Sequence, residues 1–123
     1  MAADWSHLDA RQATELLLGQ AILQRAREIL ITRGESGAGI FFQCGGRIEA
    51  FEHVPPETGD AIFRHLKGSA LLESYEALPS RGLCDFQVGG ENYSLEIEIL
   101  PGAAGEDMRI RLCRLSSEET GDP

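Results

Sequence analysis

Lysine is nearly missing from this sequence. Lys67 stands alone, and eleven Lys plus Arg against twenty Asp plus Glu leave 123 residues with a formal charge of −9. A duplex-binding protein neutralises phosphates with clustered Lys and Arg; here the arginines are scattered, so nucleic acid is excluded as the expected partner. No apolar run approaches the ~20 residues needed to cross a bilayer. The start, Met1-Ala2-Ala3-Asp4-Trp5-Ser6, lacks the basic and apolar stretches of a secretory signal. Cysteine is sparse as well: Cys44, Cys84 and Cys113 are odd in number, far apart and form no CxxC. His7, His53 and His65 do not fall at metal-ligand spacing with them. Three reduced thiols in a cytoplasmic protein are the expectation, with no metal, no cofactor and no membrane insertion.

Catalytic motifs are absent in the same way. No GxxxxGK[ST] loop is present to cradle phosphates, and no serine sits in a GxSxG elbow. Gly34, Gly37 and Gly39 have neither the lysine nor the following helix of a phosphate loop, and a hairpin turn accounts for them. Cys44, His53 and His65 are near one another in sequence, but a nucleophilic thiol needs an imidazole in hydrogen-bond reach. Glu96 and Glu98 are two apart on one strand face. Paired carboxylates can serve acid–base chemistry, yet a solvated sheet face explains them more simply. No catalytic residue is expected.

What is there is an ordinary globular composition, 42% apolar and 25% charged, in a length that suits one core. Leu8, Leu16, Leu17, Leu18, Ala21, Ile22, Ala26 and Ile29 recur at three- and four-residue steps, predicting a helical segment over about 8–28. Gly19 predicts a break or kink within it, and Ser6 or Asp9 a cap at its start. The period then changes to that of strands at 29–32, 40–44 and 47–51, with Gly45-Gly46 as a hairpin signal. Pro55-Pro56 opens a second helix that turns Ala61, Ile62, Phe63 and Leu66 inward and Asp60, Arg64 and Lys67 to water. After an ill-defined stretch over 69–80, strands are expected at 83–88, 93–100 and 108–113, with a loop at 101–105. In the strand over 93–100, Tyr93, Leu95, Ile97 and Ile99 alternate with Ser94, Glu96 and Glu98, the mark of one buried and one wet face. The expectation is a single α+β domain over 1–115, helices packed on one face of an antiparallel sheet, then a polar tail over 116–123.

Five pieces in order extend this reading: Ala26-Arg27-Glu28-Ile29-Leu30-Ile31-Thr32, Cys44-Gly45-Gly46, His65-Leu66-Lys67, Pro79-Ser80-Arg81-Gly82, and Ile99-Leu100-Pro101-Gly102-Ala103-Ala104-Gly105-Glu106. From about 21 to 112 the chain resembles the N-terminal, PAS-like subdomain of the ATPases that drive type II secretion and type IV pili. The resemblance implies a PAS-like sheet. The ATPase core of that family is absent from these 123 residues. Leu30 stands where the family has His, Gly45 where it has Asp, and Glu96 where it has Arg. A glutamate at that last position repels phosphate.

The functional expectation is a non-catalytic interaction or regulatory module. Its partner would be a protein: a second copy in a homodimer, a secretion or pilus ATPase, or a related component. Leu8, Leu16, Leu17 and Leu18 are the candidate interface, because that helix precedes the region of resemblance. Two alternatives stay open. One is a PAS-like small-molecule sensor, with Phe41, Phe42, Phe63, Tyr75, Phe86 and Tyr93 as cavity lining; the other is a small acidic secretion chaperone.

Overall fold

The first helix, α1 (Ala10–Leu23), begins where Asp9 accepts the Gln12 amide at 2.7 Å and Gln12 reaches back to the Asp9 amide at 3.0 Å. This reciprocal box satisfies two amides that a helix start leaves without partners. The expected break at Gly19 does not occur. An interior glycine costs only about 1 kcal/mol against alanine, and Leu17, Leu18 and Ala21 around it are all fully buried. Burial of that stripe outweighs the glycine. The helix also ends earlier than 28, because Arg25 takes a left-handed conformation (φ 60°). Ala26 N–H then bonds the Ala21 carbonyl at 2.9 Å and Arg25 N–H the Ile22 carbonyl at 3.0 Å. That pattern is a Schellman stop, carried here by arginine where glycine is usual.

The computed structural model describes residues 4–74 and 77–115. After α1 come β1 (Glu28–Gly34), β2 (Gly37–Cys44), β3 (Arg47–Val54), α2 (Pro56–Ser69), β4 (Leu71–Leu72), β5 (Ser80–Val88), β6 (Glu91–Gly102) and β7 (Gly105–Leu115). The strands form one antiparallel sheet in the order β3-β2-β1-β7-β6-β5-β4. Two meanders, one from each half of the chain, thus meet where β1 pairs with β7. The α+β class and the sheet with its helices on one face are as expected. The tail over 116–123 and Tyr75 lie outside the described residues.

Alternation decides which side chains enter the core. Leu95, Ile97 and Ile99 of β6 are fully buried, as are Ile29 of β1 and Ile110 of β7, and α1 and α2 cover them. The second helix starts at Pro56, whose fixed φ suits a first turn and whose missing N–H costs nothing there. Its Ile62, Phe63 and Leu66 face inward as expected, while Ala61 is only half-buried. At Gly59 of α2 an added Cβ would stand 2.8 Å from that of Ala38 on β2, so only glycine lets the helix lie this close there.

Two expectations fail at the β6–β7 turn. The strands run to Gly102 and resume at Gly105, leaving only Ala103 and Ala104 to turn. Lys67 is half-buried instead of solvated, donating to Glu106 at 2.9 and 3.1 Å. Beside it, Arg33 donates to the Asp107 carboxylate, the Glu106 carbonyl and Asp60 at 3.0–3.2 Å, and its guanidinium lies 4.0 Å from the centre of the Phe63 ring. Polar ties to α2 and β1 hold a segment that its own glycines and alanines would leave loose.

Candidate interaction surfaces

Of the four leucines expected at an interface, the structure sends two into the core. Leu17 and Leu18 are 0% exposed, so they pack the helix onto the sheet and are not available to a partner. Leu8 and Leu16 are half-buried against the same core. The exposed apolar residue of α1 is Leu23, 76% accessible. With Leu16, Ile22, Val88 and Tyr93 it lines an open groove of about 380 Å³ between α1 and the β5–β6 turn. Sequence periodicity found the stripe but could not say which of its edges stays wet.

The face of the sheet turned away from the helices carries a pattern that the sequence shows only after the register is known. One rung crosses all seven strands: Leu71, Leu83, Glu96, Arg111, Glu28, Gln43, Ile48. The adjacent rung on that face reads Arg81, Glu98, Arg109, Leu30, Phe41, Ala50. Acids and arginines alternate in the middle, and apolar side chains flank them. Arg111 lies 3.2 Å from Glu28 and 3.6 Å from Glu96. Arg109 donates through two nitrogens to Glu98, which Arg81 approaches from its other side at 3.6 Å.

Glu96 and Glu98 therefore face away from the helices as expected, but they are not simply solvated. The Glu98 side chain is 13% exposed and clamped between two arginines. The hydrogen bond to Glu98 is also the main reason the Arg109 pKa is pushed further above its usual range. Both carboxylates lie within ion-pair distance of arginines, and three acids against three arginines leave the patch neutral. The signals were the E-I-E and R-I-R alternations in β6 and β7, whose pairing only the sheet order reveals.

The other candidates disperse. Phe42 stacks on Phe51 at 4.5 Å, Phe63 packs under Arg33, and Phe86 meets the edge of His65 at 6.1 Å. Phe41 lies on the open face. A cleft of about 510 Å³ is walled by Trp5, Leu8, Glu52, His53 and Pro55 among others, and none of the described aromatics expected to line a sensor cavity contributes to it. Trp5 closes one side, donating its indole N–H to Glu52 at 2.7 Å. Among the described residues no cluster of His, Cys, Asp or Glu could hold a metal. Cys44 donates weakly to the Gln24 carbonyl, while burial, helped by Asp85, pushes the Cys84 thiol up. No described helix is long and apolar enough to cross a membrane.

No protein-family model matches the chain. Against curated proteins it is 32% identical over 103 residues to competence protein ComGA of Halalkalibacterium halodurans. The match takes in 82% of this chain and 29% of ComGA, so the chain spans less than a third of that relative's length.

Proposed function

We propose that the chain is a protein-interaction domain of the kind that precedes the ATPase core in type II secretion and type IV pilus motors, acting without catalysis of its own. The match to a competence protein over 82% of the chain carries this reading. The fold adds support, because the five ordered pieces all fall at positions that build the scaffold. They lie in β1, at the β2–β3 turn, at the end of α2, at the entry to β5 and around the β6–β7 turn. Glu96, where the family has an arginine, faces Arg111 in an ion pair and offers nothing to a phosphate. The partner on this reading is a secretion or pilus ATPase or another component of that machinery, in the cytoplasm.

The test has two arms. Calorimetry with Mg-ATP should show no tight complex, and turnover should stay at the buffer level. The tagged chain should retain a secretion or pilus component, and Leu23→Glu, which alters the exposed end of α1 without touching the core, should weaken that retention. A tight ATP complex, measurable turnover, or retention of no such component would each sink the proposal.

A further inference from the structure

The two edges of the sheet differ in how they are protected. At one edge β3 is bulged: Ile40 pairs with Glu52 and Phe41 with Ala50, so Phe51 has no cross-strand partner and folds onto Phe42. That edge also carries Arg47, Glu49 and Glu52. Bulges and charges are the usual guards against strand addition. At the other edge β4 covers only Gly82 and Leu83 of β5, and the Glu73 amide reaches the Arg81 carbonyl at 2.8 Å. Beyond it Cys84-Asp85-Phe86-Gln87-Val88 runs in unbroken register with β6, and no strand lies along its outer side among the described residues.

We propose that this segment is a homodimer interface, in which β5 pairs antiparallel with β5 of a second copy about a two-fold axis at Phe86. The backbone phase allows it. Arg81 turns its carbonyl outward to Glu73, so the two-residue period turns the N–H and C=O groups of Asp85 and Gln87 outward as well. Antiparallel pairing centred on Phe86 sets Asp85 opposite Gln87 of the second copy, twice. These are the positions that exchange hydrogen bonds, four in all. The side-chain pattern is self-complementary too. Each exposed Asp85 meets an amide and never its own copy, while the half-buried Cys84, Phe86 and Val88 align on the helix side. Phe86 then meets Phe86 at the axis, the close non-hydrogen-bonded position where aromatic pairs contribute most. An axis perpendicular to the sheet keeps both sets of helices on one side. The inference goes beyond the proposed function and does not depend on it.

Sedimentation velocity of the full chain from micromolar to near-millimolar concentration should show a reversible monomer–dimer equilibrium. It should tighten with added salt, because two bodies of charge −9 repel. Gln87 is exposed, so its variants leave the fold intact by circular dichroism. Gln87→Asp sets two carboxylate pairs across the axis and should weaken the dimer at least tenfold; Gln87→Lys sets two acid–base pairs and should tighten it several-fold. Ser36→Asp, which adds the same charge at a distant turn, should change the constant less than twofold. A monomer at every concentration, or a dimer indifferent to both Gln87 variants, overturns the proposal.

Discussion

The helix-covered face and the open face of this sheet are built from the same strands, one residue out of step, yet they solve different problems. On the covered face β6 presents Leu95, Ile97 and Ile99, each fully buried. On the open face the same strand presents Glu96 and Glu98, each held by an arginine of β7. The first face draws its stability from apolar area removed from water, the second from charge pairs that water screens. Burial therefore dominates the energetics, while the ion-paired face gives the sheet a neutral patch within a strongly acidic molecule.

Ile97→Ala is the harshest test of that contrast. It opens a cavity between Gly82 and Ile110 and should cost about 2–5 kcal/mol, read as a lower denaturation midpoint at unchanged slope. Glu98→Gln, one residue along, should cost about 1 kcal/mol, since it weakens a clamp whose carboxylate is largely enclosed. Equal losses would mean that the two faces are not distinct. Gly19→Ala should raise stability by about 0.5–1 kcal/mol: the new Cβ would sit 3.9 Å from Val88 Cγ1, an ordinary contact, in a helix that already runs through this position.

The smallest effect concerns the thiols. Exposed Cys113 should react with an alkylating reagent faster than half-buried Cys84 near pH 8. The folded Cys84 pKa is raised, so its neutral form is favoured in the fold. Its contribution to stability is present below the ordinary thiol pKa and lost as pH rises from there through the raised value. Cys84→Ala should remove that part of the alkaline decline in thermal midpoint.

The elements were largely legible in the sequence because each announces itself locally. Strict alternation marked β6, Gly45-Gly46 marked a hairpin, and Pro55-Pro56 marked the start of α2. What escaped was non-local. The helix stop at Arg25 gives no compositional signal, since the residue is not glycine. The fate of Leu17 and Leu18 depends on what packs above them. The role of Lys67 depends on Glu106, thirty-nine residues away. The Glu28–Arg111 pair was invisible because it joins strands from the two ends of the chain.

The seam between β1 and β7 also governs how the molecule assembles. Neither half can finish its sheet alone: the first meander ends at an open β1 edge until β7, the last strand among the described residues, pairs with it over Glu28 to Ile31. During synthesis the outer edge of β1 therefore stays without its β7 neighbour while residues 35–104 follow, and non-local closures of this kind slow folding. Truncation just before β7 would strand two hairpin sets that share no hydrogen-bonded neighbour, so the last strand works as the clasp that turns two meanders into one sheet.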